Sequence, residues 1–467
     1  APPPPPAPVE GRRGAGKKTK AAAAVGPAPD LEVVDSTTMF DSVGLLWAFV
    51  TAALGFKPFR HEGKVTGLAG HGDPAKTLPI FEAEMGLVED PVSGRWRIRA
   101  RWSAEETGNF QLYLAHLEGG TTGSQRAESF RLAEELGRHA REDVAAGLQR
   151  FTEQLLLRYL ERNGFARPHL CLAGGVFANV RLNMRVREGL PGVRRVFVCP
   201  NMGDGGLCVG AASLACRELG LLVSAPRGSV FLGPEFAAAQ AREALGPRGA
   251  AEEPHGHREF ARAVASHLGA GRVVGLCYGA MEFGPRALGH RSLLSRATDP
   301  GVGAALNSRL RRTEFMPFAP ATLRAHASEA YVGVDPDDLE AGRHMTMCYT
   351  ATPAMRALCP AVVHVDGTAR PQLVDERDGL YFDVIAEYAA LSGVHSIVNT
   401  SFNIHEEPIV CTPRDAVAAF EAGACDVLAL YPYVVLGTGP AAAGLEGLAG
   451  PPASDTAPAP PLPLTSS

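Results

Sequence analysis

The sequence has no C-x-x-C pair, no H-x-x-x-H spacing and no basic excess. Its nine cysteines are odd in number and scattered through apolar stretches (Cys171, Cys199, Cys277, Cys411), which argues against a disulfide framework and against a zinc site. A reducing cytoplasm is the expected compartment. A net charge of -5 gives no global field for nucleic acid or an anionic membrane, so any anion site has to be local. The uncharged run Ser42 to Phe56 covers 15 residues, short of the roughly 20 that span a bilayer, and reads as a buried helix. No repeat of 20 to 50 residues is visible. Aromatic residues are missing from 1–30 and 450–467, although these ends hold 14 of the 37 prolines. Neither end can pack a core.

What is present is an ordinary globular composition, 46% hydrophobic and 20% charged over 467 residues, enough for two or three domains. The chain opens on alanine and runs through Pro2 to Pro6 into Arg12, Arg13, Lys17, Lys18 and Lys20, without the apolar core of a signal peptide; it reads as a linker or the start of a fragment. Residues 128–162 carry a helical pattern with Val144, Leu148, Phe151, Leu155 and Tyr159 on one face and a stop at Asn163-Gly164. Strands are expected at His169 to Ala173 and Arg195 to Cys199, each feeding a glycine turn and a helix, which is the α/β signature. Residues 218–257, punctuated by Pro226, Pro234, Pro247 and Pro254, read as a boundary. Beyond it come a helix near 258–268, a strand Arg272 to Cys277, a polar arginine-rich stretch to about 320, a strand near Ser396 to Val398, and a helix capped by Thr412 with Pro413 and Asp415.

Gly174-Gly175 and Gly203-Asp204-Gly205-Gly206 follow strands, where absent Cβ atoms let backbone N–H groups approach phosphate oxygens. Asp204 suits a divalent cation beside such a site; the alternative is a tight turn whose Asp caps the next helix. Between 284 and 313, Arg286, Arg291, Arg296, Arg309, Arg311 and Arg312 face a single acid, Asp299. Guanidinium forks suit phosphates and carboxylates, and pairing with acids from elsewhere is the competing reading. His364 to Gln372, Asn399 to Asn403 and His61 to Lys64 are polar clusters. The Asn-Thr-Ser run ends an apolar strand, where open α/β sheets bind ligands.

These residues carry a resemblance. Gly284-Pro285-Arg286-Ala287-Leu288-Gly289-His290-Arg291-Ser292, Pro317-Phe318-Ala319-Pro320, His364 to Gln372, and Asn399 to Asn403 with Glu407-Pro408-Ile409-Val410 resemble the C-terminal domain of the O-carbamoyltransferases, the nodulation and antibiotic-tailoring type. Glu62 to Ala69, Gly174 to Asn179 and Gly203 to Gly206 look like the nucleotide-binding domain of the same family. The resemblance implies an α/β chain. A partial actin-like (ASKHA) domain at 31–217 precedes a boundary at 218–257, with 229 as an alternative start for the C-terminal domain. That YrdC-like domain, similar to threonylcarbamoyladenylate synthases, occupies 258–437, with disordered ends at 1–30 and 438–467.

It also implies chemistry: carbamoyl phosphate and ATP give carbamoyladenylate, and the carbamoyl group passes to a small-molecule hydroxyl. Mg2+ accompanies ATP, and a divalent metal, ferrous iron, serves the actin-like domain if the missing ligands are supplied. By this resemblance Arg286, Arg291, Arg312, Ser401 and Asn403 are catalytic. Lys64, Gly174, Gly175, Asn179, Gly203, Gly205, Arg311, Asp366, Arg370 and Asn399 contact substrate or ATP, and Asp204 binds metal. Ser401-x-Asn403 matches the synthase signature, whereas its partner Lys-x-Arg is altered to Arg311-Arg312. Nothing before Leu31 resembles the family's opening segment with its two metal-binding histidines, so a complete transfer site is not expected in this chain. Competing readings are tRNA threonylcarbamoylation, hydrogenase maturation, and a nucleotide-binding scaffold derived from such an enzyme; neither a membrane nor a nucleic-acid partner is expected.

Overall fold

The computed structural model describes residues 33–103, 105–106, 131–221, 229–247, 255–311, 318–334, 340–404 and 406–437. The described residues from Met39 onward form one compact unit.

Helices α1 (Val43–Ala53), α2 (Glu62–Leu68) and α3 (Leu78–Glu84) lead into an antiparallel hairpin of β1 (Met85–Glu89) and β2 (Trp96–Ala100). Helix α1 is the run expected to be buried, and Leu46, Phe49 and Val50 are sealed. The single helix expected at 128–162 is two, α4 (Arg131–Leu136) and α5 (Arg141–Arg162). The break falls at Gly137, and Ala140 takes an extended conformation. Glu142 and Asp143 then supply negative charge to the first turn of α5. Val144, Leu148, Phe151 and Leu155 close a first core against α1, α3 and α4.

Strand β3 (His169–Leu172), helix α6 (Val180–Gly189), strand β4 (Arg195–Val198) and helix α7 (Leu207–Glu218) follow. β3 and β4 pair in parallel, with Leu170 opposite Val196. No residue of α7 is buried, and Phe197, Leu207 and Leu214 are exposed.

A seven-stranded mixed sheet dominates the rest. Helices α8 (Ala238–Leu245) and α9 (His257–Gly269) precede β5 (Val274–Cys277), β6 (Arg291–Arg296), helix α10 (Val302–Arg309) and β7 (Ala319–Leu323). Then come a short pair β8 (Tyr349–Thr350) and β9 (Thr368–Ala369), β10 (Gln372–Val374), helix α11 (Leu380–Ser392), β11 (Ser396–Ser401), helix α12 (Pro413–Glu421), β12 (Val427–Leu430) and β13 (Tyr433–Leu436). Strand order is β10-β7-β11-β6-β5-β12-β13. Every residue of β5, β7 and β12 is buried, so both faces are covered, as a sheet with parallel pairs requires. The α/β expectation holds. The stretch expected to be merely polar and arginine-rich contains β6, a central strand, because Leu293 and Leu294 carry it into the core. One core runs from Leu172, Leu182 and Val196 through to Val435. At α12 the expected cap forms: Thr412 Oγ1 accepts from Asp415 N at 3.2 Å, and Asp415 accepts from Thr412 N at 2.9 Å.

No helix among the described residues is long and apolar enough to cross a membrane. All nine cysteines are free thiols.

Candidate functional site

The loop between the antiparallel strands β5 and β6 carries Arg286 and is held on all sides. Glu282 Oε1 accepts from the main-chain N–H groups of Leu288 (2.8 Å), His290 (2.8 Å) and Arg291 (3.1 Å). His290 stacks on Phe231 at 3.6 Å, with Nδ1 2.7 Å from Ala280 O, and burial pushes its pKa down to about 4, so the ring is neutral. Gly289 has φ 109°, and a Cβ there would run into the Tyr381 ring. From below, Asn399 Nδ2 donates to Ala287 O (3.2 Å) and to Gln372 Oε1 (2.8 Å), and Gln372 Nε2 donates to Leu288 O (2.7 Å).

This bracing aims Arg286 into a cavity of about 340 Å³. One side is formed by α2, α5 and the start of α6, through Gly67, Gln149, Glu153 and Arg181. Arg286, Ala319, Cys348, His364, Asp366 and Arg370 form the other. Among the described residues neither Arg286 nor Arg370 has a hydrogen bond or an ion pair, and Arg286 Nε is buried without a partner. The charge of Arg370 and then burial push Arg286 down to about 9; burial also lowers Arg370. Both guanidiniums remain cationic at neutral pH, so the depression records stored like-charge repulsion. Burial pushes the Cys348 thiol up to about 12, so this wall residue is neutral and offsets nothing.

Asp366 is spoken for. Its Oδ1 accepts from Thr368 N (2.9 Å) and Thr368 Oγ1 (2.7 Å) and lies 3.2 Å from His364 Nδ1, while Oδ2 pairs with Arg181. Burial alone would raise this carboxyl, but the hydrogen bonds from His364 and Thr368 and the Arg181 charge hold it well below the usual carboxylate range. The turn is fixed by His364 N donating to Thr368 O at 2.8 Å.

Arg291, expected among the catalytic residues, is 1% exposed and does not line the cavity. All five of its N–H groups point at main-chain carbonyls: Nε at Cys411 (3.0 Å), Nη1 at Tyr278 (2.6 Å) and His290 (2.9 Å), Nη2 at Gly279 (3.2 Å) and Pro234 (3.4 Å). Ser401 Oγ donates to Asn403 Oδ1 at 2.6 Å, and Asn403 Nδ2 donates to Glu407 O at 2.7 Å; neither residue lines the cavity. Arg311 is exposed with φ 55°, and Arg312 lies outside the described residues. Lys64 stands 5.8 Å from the Phe56 ring, while its neighbours Gly63, Thr66 and Gly67 line the cavity. Gly174, φ 105°, donates its N–H to Met202 O, and Gly175 opens a 3-10 turn. Asn179 caps α6 by accepting from Leu182 N at 3.0 Å and exchanges hydrogen bonds with Gln149. Gly203 and Gly205 flank Asp204 in an exposed turn closed by Gly206 N on Gly203 O.

Around Asp204 the described residues do not by themselves make up a metal site. No group of three His, Cys, Asp or Glu ligands includes it among the described residues. The group that does cluster is His326, Glu329 and His395, at the far end of β7 and β11 from the cavity. Its two imidazoles stack at 3.4 Å and 1°, and parallel planes at that spacing cannot both contain one ion, so this group fails the geometry of paired histidine ligands.

The cavity therefore combines the sequence-legible Arg286, His364 and Arg370 with one acid and one cation that sequence reading missed, Glu153 and Arg181. These two are lone charges on helices and give no motif signal. Comparison with known proteins decides what kind of chain carries this cavity. A family model described as carbamoyltransferase C-terminus matches residues 265–436, and one described as carbamoyltransferase N-terminus matches 18–213. The chain belongs to the carbamoyltransferase family. Among curated relatives, nodulation protein NolNO of Sinorhizobium fredii is 32% identical over 423 residues, covering 88% of this chain and 58% of its own. Nodulation protein NolO of Bradyrhizobium diazoefficiens is 31% identical over 421 residues, covering 88% of this chain and 72% of its own. This carbamoyltransferase-family chain spans 58% to 74% of the lengths of the first such relatives. A solved structure of full-length HypF in its phosphate- and nucleotide-bound form aligns at 20% identity with a TM-score of 0.27 over 38% of this chain and 21% of its own, too slight a likeness to carry an argument.

Proposed function

We propose that this chain activates a carbamoyl group as part of an O-carbamoyltransferase: carbamoyl phosphate, ATP and water yield carbamoyladenylate, phosphate and pyrophosphate. The carbamoyl group then passes to a hydroxyl of a small molecule with release of AMP. The observation that supports it is the couple Arg286 and Arg370, unpaired among the described residues and facing one cavity of ligand size. Two buried cations without counter-ions are costly unless a ligand supplies the negative charge, and a phosphoryl dianion supplies it in fork geometry. Preorganised guanidiniums also stabilise charge as phosphate departs from the carbamoyl carbon.

In this reading Arg286 and Arg370 hold the phosphoryl group. Asp366 fixes the turn that presents Arg370, and Asn399 braces the Arg286 loop. Ser401 and Asn403, with Arg311 and Arg312, meet ATP, which arrives with Mg2+. Lys64 and the glycine turns at Gly174-Gly175 and Gly203 to Gly205, with Asn179, serve nucleotide or acceptor in the transfer half. Arg291 we assign to holding the loop instead of touching substrate.

The test is incubation with labelled carbamoyl phosphate and ATP, reading pyrophosphate. Release is expected; none at any Mg2+ concentration would sink this reading. Asn399→Ala removes a buried brace and leaves the Ala287 carbonyl and the Gln372 amide oxygen short of a donor, a loss of about 2 kcal/mol. A lower melting temperature together with a raised KM for carbamoyl phosphate is the expected pair of results. An unchanged KM would detach Asn399 from the site.

A further inference from the structure

Among the described residues lining the cavity, four guanidiniums (Arg150, Arg181, Arg286, Arg370) meet two carboxylates, Glu153 and Asp366. The excess of two positive charges equals the charge of a phosphoryl dianion. How the two carboxylates are distributed matters as much as their number. A carboxylate free to pair with Arg286 or Arg370 would cancel the field on which an anion depends.

Neither carboxylate is free, and one side chain holds both. Arg181 Nε donates to Glu153 Oε1 at 3.3 Å, and its Nη1 pairs with Asp366 Oδ2. Glu153 also accepts from Gln149 Nε2 at 2.8 Å and lies 3.7 Å from Arg185 Nε. The Glu153 side chain is 5% exposed and that of Asp366 16%, so these charges are weakly screened and their compensation has to be local. Arg181 sits on the first turn of α6, set by the Asn179 cap, so its fork reaches α5 on one side and the His364–Thr368 turn on the other. Arg286 and Arg370, by contrast, have no such partner among the described residues.

We propose that Arg181 is a positioning residue that takes up both acidic charges of the cavity and thereby reserves Arg286 and Arg370 for a phosphoryl dianion. Arg181 does not itself contact the ligand. This rests on the reading of the cavity as a carbamoyl phosphate site, and it assigns a specificity device: the site prefers a dianion because its net charge is fixed by this partition.

The experiment is calorimetric titration of the whole chain with carbamoyl phosphate and, separately, inorganic phosphate. Arg181→Ala removes one cation and leaves Asp366 held by Thr368 and His364 with its charge unmatched; affinity is expected to fall on the order of tenfold. Arg181→Lys keeps the charge and retains most of the affinity. Arg181→Ala with Asp366→Asn restores the excess of two and is expected to recover most of the loss, which a merely structural role for Arg181 would not allow. Asp366→Asn alone raises the excess and is expected to tighten phosphate binding, a readout available even where Arg181→Ala does not fold. Equal affinity in Arg181→Ala, or no recovery in the double variant, or weaker binding in Asp366→Asn, overturns the proposal. Among these outcomes, only failure of the unmodified chain to bind either anion sinks the carbamoyl phosphate reading as well.

Discussion

Arg286→Ala is expected to lower carbamoyl-phosphate-dependent pyrophosphate release by a factor on the order of 100 to 1,000, the scale seen when one preorganised charge-stabilising donor is removed. The same variant is expected to melt no lower than the unmodified chain. Arg286 makes no hydrogen bond or ion pair among the described residues, and Arg370 opposes its charge, so its removal takes away repulsion and leaves little unsatisfied. A stability cost borne for function has this signature: activity lost, folding retained or improved. Arg296 is the control. It lies at the end of β6, pairs with Asp299 at 3.1 Å and does not line the cavity, so Arg296→Ala is expected to leave turnover within about twofold. Added phosphate should raise the melting temperature of the unmodified chain and of Arg296→Ala, and do so weakly in Arg286→Ala. Equal losses in the two arginine variants would place the anion site elsewhere.

That contrast also marks how far a sequence can be read. Glycine-flanked arginines in an apolar context pointed to an anion site, and Arg286 and Arg370 do share a cavity. The cavity needs only local motifs to be noticed, because each arginine sits in its own short signature. Arg291, five residues from Arg286, looks the same as a string, yet its fork is turned into the protein; whether five N–H groups meet phosphate oxygens or carbonyls depends on loops at 234, 278–279 and 411 that no spacing connects. Asn399 looked like a strand-end ligand group, but register places it beneath the Arg286 loop, opposite Leu294 and Ala319. Arg181 and Glu153 carried no signal, since a charge on a helix acquires meaning only from what the facing segment brings, here Asp366, 185 residues further on than Arg181. Helix and strand positions were more legible, because burial period and caps are local. The break at Gly137 and strand β6, whose polar ends flank two core leucines, carry no such local signal.

Arg291→Met is expected to do the reverse of Arg286→Ala. Methionine matches the stem of arginine in length but donates nothing, so five carbonyls lose a bond: those of His290 and Pro234 keep Tyr278 N and Met281 N as donors, whereas those of Tyr278, Gly279 and Cys411, in part-buried surroundings, lose the Arg291 donor. Removing one partner from a buried charged network costs about 3 to 5 kcal/mol, and a loss of that size in a chain this long should lower the melting temperature by about 4 to 6 °C. Arg291→Lys is not expected to rescue it: an ammonium offers three donors from one point, whereas the carbonyls surround a planar fork. Because Tyr278, Gly279 and His290 belong to the segment that carries Arg286, folded Arg291→Met should also bind carbamoyl phosphate more weakly, but this loss should shrink when the chain is saturated with the ligand, as a loop-ordering defect does. Urea unfolding decides the matter. A midpoint unchanged from the unmodified chain, with activity abolished, would mean that Arg291 turns its guanidinium toward substrate during the reaction, and the catalytic role implied by the family motif would then stand in place of the structural one.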